Sequence, residues 1–167
     1  MWTELHWING PWPGRIAVSS RPRGGDWLAD EMASWKRQGV GAVLSLLTSQ
    51  EEKDLDLSEE SRIAKSQGML FESFPIPDRQ VPSSESKLAS ALENASRTLT
   101  SGTNLLIHCR QGIGRSGLVT ACLLATKGFS PGAAIDAVSA ARGVPIPETS
   151  EQREWIDRFA AACTNVR

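Results

Sequence analysis

The sequence predicts an α/β domain, with a central, largely parallel twisted sheet flanked by helices. Three observations carry this. Apolar runs of strand length alternate with helical stretches along the chain, the order expected when helices cross over a sheet. Residues 40–47 (VGAVLSLL) are apolar with little polar alternation, as in a strand buried on both faces. Leu105-Leu106-Ile107 runs through His108-Cys109 into a glycine-rich loop and then straight into a helical stretch. With 167 residues, 40% hydrophobic and 22% charged, the chain is long enough for one proper core, so residues 1–167 are expected to form a single domain.

In chain order, residues 2–20 read as two short strands broken by the Gly/Pro cluster at 9–14. A basic loop follows at 21–25. Asp26 is the expected N-cap of a helix over 27–38, ended by Gly39, with Trp27, Leu28, Met32 and Trp35 on its core face. After the strand at 40–47, residues 50–56 are acidic and read as a solvated turn of helix. Ser58 is expected to cap a helix over 58–67, and 69–76 (MLFESFPI) to form a strand. Residues 77–84 have loop composition. Leu88, Leu92, Ala95 and Leu99 have helical spacing over 84–99. A strand at 104–109, the glycine loop and a helix at 115–127 come next. Ser130-Pro131 opens a helix to Arg142. Thr149 or Ser150 caps a last helix through Cys163.

The bulk properties exclude several function classes. A net charge of −1 argues against a nucleic-acid or membrane polycation, so attraction for an anion must be local. Three scattered cysteines (Cys109, Cys122, Cys163) and two histidines (His6, His108) form neither a zinc-ligand pattern nor a disulfide framework. That usage implies a reducing compartment. No basic segment followed by an apolar stretch marks a signal peptide, and no apolar run is long enough for a membrane span. A cytoplasmic protein without metal or cofactor is expected.

The chemistry concentrates in residues 105–118, LLIHCRQGIGRSGL. Glycines at 112, 114 and 117 allow tight backbone approach, and a helix N-terminus presents free N–H groups to an anion. Arg115 stands where the helix begins, with a planar fork suited to a phosphoryl group. Cys109 ends the strand at the base of the same cradle. Its thiol is expected to be acidified by those N–H groups, the helix dipole and Arg115, as a nucleophile requires. Gly112-x-Gly114-x-x-Gly117 also matches a dinucleotide fingerprint. That fingerprint needs an acidic residue at the end of a second strand, and Asp136 lies inside a helical stretch. A nucleotide-triphosphate loop fails because no Gly-Lys-Ser/Thr follows.

His108-Cys109-x-x-x-x-x-Arg115-Ser116 resembles the signature loop of the cysteine-dependent protein tyrosine phosphatases. Residues 21–28, 44–47 and 74–78 extend the likeness to a compact dual-specificity, bacterial-type group that shares its layout with the cyclin-dependent-kinase-associated phosphatase. The resemblance implies a phosphatase-like fold and a cysteinyl-phosphate intermediate formed without metal. It makes Cys109 the nucleophile, Arg115 the phosphoryl ligand and Ser116 the aid to thiolate departure. Cys109, Arg110, Gln111, Gly112, Ile113, Gly114 and Arg115 form the phosphate cradle. His108 orients the loop. Asp78, in Phe74-Pro75-Ile76-Pro77-Asp78, becomes the general acid. Gln152, in the first turn of the last helix, places the hydrolytic water or braces the loop. Arg142 takes a structural place, and Arg21, Arg23 and Arg79 read as surface arginines.

The expected substrate is phosphotyrosine, with phosphoserine and phosphothreonine, in a phosphorylated protein. No aromatic recognition insert that would build a deep pocket is visible. The alternatives are a phosphoinositide or other non-protein phosphatase, and a catalytically weak phospho-binding module. The latter would need neither thiol nor acid. A monomer is expected.

Overall fold

The computed structural model describes residues 2–166. Five strands form one sheet in the order β1-β2-β5-β3-β4: β1 (His6–Ile8), β2 (Ile16–Ser19), β3 (Val40–Ser45), β4 (Leu70–Ser73) and β5 (Asn104–His108). Only β1 runs antiparallel, turned back on β2 by the Gly/Pro cluster; the β2–β5, β5–β3 and β3–β4 pairs are parallel. The helices are α1 (Leu28–Arg37), α2 (Ser49–Asp54), α3 (Glu60–Ser66), α4 (Glu85–Thr100), α5 (Arg115–Ala125), α6 (Pro131–Arg142) and α7 (Ser150–Val166).

Side-chain alternation along the strands divides the core into two layers. Ile16, Val18, Ala42, Leu44, Leu105 and Ile107 face α4, α5, α6 and α7. Ala17, Val43 and Leu106 face the other way, onto α1 and α3, with Leu28, Met32, Trp35 and Ala64. A strand covered on both faces has no polar side, which explains the uninterrupted apolar runs. The register sets Ser19, His108 and Ser45 side by side at the carboxyl ends of β2, β5 and β3. The chain leaves β5 there with β2 on one side and β3 on the other. This is a switch point of strand order, where open α/β sheets present a crevice.

Several local expectations are corrected. Asp26 caps nothing. Gly25 takes a left-handed φ of 60°, and the chain enters α1 through a 3-10 turn over Gly25–Trp27 with no side-chain cap. That turn swings Trp27 outward. It is 56% exposed, with the Arg23 guanidinium 4.6 Å from its ring, whereas Trp35 is buried as expected. Ser58 does not cap α3 either, because Glu60 N–H closes the turn onto Leu57 O at 3.0 Å. β3 and β4 end earlier than 47 and 76. The bonds Phe74 N–H to Ser45 O (2.8 Å) and Ile76 N–H to Leu46 O (3.0 Å) nevertheless carry the pairing to the start of the loop holding Asp78. α6 keeps its expected limits, with Ser130 Oγ accepting Ala133 N–H at 3.1 Å. Thr149 Oγ1 accepts Gln152 N–H at 3.1 Å and so caps α7.

Candidate active site

The loop between β5 and α5 curls around the Cys109 thiol. Gly112 N–H donates to Cys109 Sγ at 3.3 Å. The turn needs glycine there: φ is +73°, and a Cβ would lie 2.6 Å from the Ser19 carbonyl. Arg142 braces the loop from outside, Nε to Gly112 O and Nη2 to Gln111 O, both 3.1 Å. The structural place expected for Arg142 is thus a direct hold on the cradle's backbone.

Arg115 is 2% exposed, and both of its Nη groups are engaged. Nη1 donates to Glu51 Oε1 (2.7 Å) and Ile76 O (2.8 Å). Nη2 donates to Glu51 Oε2 (3.0 Å) and Asp78 Oδ1 (3.1 Å). Burial alone pushes the Glu51 carboxyl up. The hydrogen bonds from Arg115 and Thr48 outweigh it and hold Glu51 below the ordinary carboxylate value. Burial likewise opposes the Arg115 charge, and Glu51, Cys109 and Asp78 together raise its pKa above the usual guanidinium value.

A cavity of about 180 Å³ opens here, lined by Asp78, Arg79, Cys109, Arg110, Gln111, Gly114, Arg115 and Glu148. Nucleophile, cation and carboxylate expected from the sequence therefore share one pocket. Of the expected cradle, Gly112 and Ile113 do not line it. Gly112 turns its N–H onto Cys109 Sγ, and Ile113 packs against the core. Ser116 Oγ is buried and makes no hydrogen bond among the described residues. Gln152 is buried and braces: Oε1 accepts Glu148 N–H (3.1 Å) and Thr149 N–H (3.2 Å), and Nε2 donates to Gln80 O (3.1 Å). Beneath the loop, His108 Nε2 lies 2.6 Å from Glu60 Oε1, both side chains buried and His108 against Trp35. Among the described residues no cluster of three or more His, Cys, Asp or Glu could hold a metal ion. No helix of the described residues is long and apolar enough to cross a membrane.

The family model of the Swiss Army Knife protein DSP-PTPase phosphatase domain matches residues 3–162. The chain belongs to this dual-specificity phosphatase family. Cyclin-dependent kinase inhibitor 3 of Rattus norvegicus is 36% identical over 100 residues, covering 55% of the chain. The chain spans 44% of that relative's length. The crystal structure of kinase-associated phosphatase superimposes with a TM-score of 0.88 at 21% identity, covering 98% of this chain and 97% of the other. Tk-PTP in its active form gives 0.77 at 28% identity, over 96% and 99%. These likenesses bear out the expected family and the phosphatase-like α/β fold.

Two residues of this site escaped the sequence reading. The acidic run at 50–56 is not a solvated face throughout, because Glu51 turns inward onto Arg115. Its signal was Thr48-x-x-Glu51, a capping box directly after a buried strand; Thr48 Oγ1 accepts Glu51 N–H at 3.2 Å while Glu51 Oε1 accepts Thr48 N–H at 3.1 Å. The other is Glu60, which no local pattern marks.

Proposed function

We propose that the chain hydrolyses phosphomonoesters on phosphotyrosine, and on phosphoserine and phosphothreonine, in proteins through a cysteinyl-phosphate intermediate. One observation carries this reading: Cys109, Arg115 and Asp78, drawn from two loops, line a single pocket. Cys109 Sγ attacks phosphorus in line, and the bond to the ester oxygen breaks as Asp78 gives that oxygen a proton. Loop N–H groups and the Arg115 guanidinium, through Nε–H and the Nη2 N–H that Asp78 gives up to the substrate, hold the equatorial oxygens, where charge builds in the transition state. Water then attacks the phosphocysteine, Asp78 takes its proton, and sulfur leaves as thiolate. Ser116 Oγ, buried and without a partner among the described residues, is suited to stabilise that thiolate. His108 holds the end of β5, and Gln152 ties the acid loop to the segment before α7. A phosphoprotein substrate is supported by the likeness to cyclin-dependent kinase inhibitor 3.

The test is hydrolysis of p-nitrophenyl phosphate by purified protein with and without EDTA. Turnover should persist with EDTA and vanish in Cys109→Ser. Loss with EDTA, or retention in the serine variant, overturns the mechanism. A panel of phosphopeptides and phosphoinositides then assigns the substrate class.

A further inference from the structure

The pocket carries a second ion pair that the proposed mechanism does not use. Arg79 Nη1 donates to Glu148 Oε1 at 2.8 Å, joining the acid loop to the segment before α7. Both line the cavity with Cys109 and Arg115. Arg79 directly follows Asp78, so its guanidinium hangs at the mouth beside the proposed acid. Its backbone is left-handed, with φ 62°, a conformation that long side chains rarely hold. Exposed Arg110 adds a second cation to the same rim. The Glu148 carboxylate lies over Gly114, where an added Cβ would meet Oε2 at 3.0 Å. A carboxylate therefore stands at the edge of an anion cradle, neutralised by an exposed cation.

This pair is not what ties the two loops together. The bond from the buried Gln152 side chain, Nε2 to Gln80 O, already does that. With side-chain exposures of 60% and 31%, the Arg79–Glu148 pair is solvent-screened and easily exchanged. We propose that Arg79 recognises a second anionic group beside the scissile phosphate of a phosphoprotein, and that Glu148 competes with that group for Arg79. An acidic side chain and a second phosphate share the chemistry that the guanidinium fork would take. The inference rests on the phosphatase reading above.

The experiment compares kcat/KM for three phosphopeptides: neutral flanks, glutamate flanks, and a second phosphorylated residue. Wild-type protein should favour the anionic peptides over the neutral one. Arg79→Asn, which tolerates the left-handed backbone, should lower that ratio about tenfold, the worth of one charge-assisted hydrogen bond. Glu148→Gln should raise it. The anionic peptide with the larger ratio identifies the source. If both variants lose activity alike on all three peptides, the pair is a structural latch and the proposal fails. It also fails if phosphoinositide in phosphatidylcholine vesicles is the better substrate and shows the Arg79 dependence. Wild-type protein that leaves p-nitrophenyl phosphate intact would instead sink the phosphatase reading itself.

Discussion

Arg115 and Glu51 form a two-pronged pair, Nη1 to Oε1 at 2.7 Å and Nη2 to Oε2 at 3.0 Å, across 64 residues of sequence. The guanidinium is thereby fixed in plane before any phosphate arrives, with Ile76 O and Asp78 Oδ1 taking further N–H groups. Such a hold costs desolvation of both ions, and it serves orientation rather than net stability.

Glu51→Gln should lower stability by about 3 kcal/mol, since Arg115 keeps only part of its buried partnership. Turnover should fall on the order of 100-fold through misplacement of the fork. The pH dependence has a definite sign. The folded carboxyl of Glu51 lies below its unfolded value, so its contribution is present above about pH 4.3 and lost as pH falls through the lowered folded value. Urea unfolding of the variant should show a flatter acid limb. Equal slopes in both proteins would contradict the assignment.

Asp78→Asn should reduce kcat by about 10²- to 10³-fold and flatten the basic limb of the pH–rate profile. The asparagine oxygen can still accept from Arg115, so inhibition by inorganic phosphate should change little. An unaltered profile would remove Asp78 from the acid role.

What the sequence made legible was what lies together along it. Cys109, Gly112 and Arg115 fall within seven residues, and their spacing alone implies strand, cradle and helix. The apolar runs at 40–47 and 104–109 announced the sheet because burial on both faces leaves no polar positions. Asp78 came only through the family likeness, since a Pro-Asp turn has no signature of its own. The partners of Glu51 and Glu60 were hidden because they stand 64 and 48 residues away; the capping box at Thr48 marks Glu51 but not Arg115, and an acidic run reads as solvated. Trp27 and Asp26 failed for a different reason: a left-handed glycine opens a 3-10 turn that takes up both residues before α1 begins.

Gly112→Ala should destabilise by about 3 kcal/mol, because the added Cβ meets the Ser19 backbone at 2.6 Å and the residue is held at φ +73°. Gly132→Ala is the control. Its Cβ would meet nothing within 4 Å, in the first turn of α6, and a change within about 0.5 kcal/mol is expected. Thermal unfolding of both variants checks the contrast.

Arg142→Lys should raise the KM for p-nitrophenyl phosphate about fivefold with a smaller effect on kcat. A lysine cannot hold Gly112 O and Gln111 O together, so the cradle loosens before the chemistry does. Inhibition by inorganic phosphate should weaken in parallel. A change confined to kcat would point to a different role.

The Glu60–His108 pair sets up the last test. Both side chains are buried, and Oε2 of Glu60 and Nδ1 of His108 have no partner among the described residues, so the 2.6 Å contact is what stabilises either group there. Glu60→Leu removes that contact and leaves His108 Nε2 unpaired beneath the nucleophile; a loss of about 3 kcal/mol is expected. Glu60→Gln keeps a hydrogen-bonding group and should cost about 1 kcal/mol. Glu52 reports on the same change. Burial first, and the Glu60 charge second, raise its carboxyl above the ordinary value, with His108 opposing. In Glu60→Gln the Glu52 titration followed by NMR should therefore move down. A Glu52 titration that stays put, or equal destabilisation in the two variants, would show that volume rather than charge and hydrogen bonding governs this corner of the core.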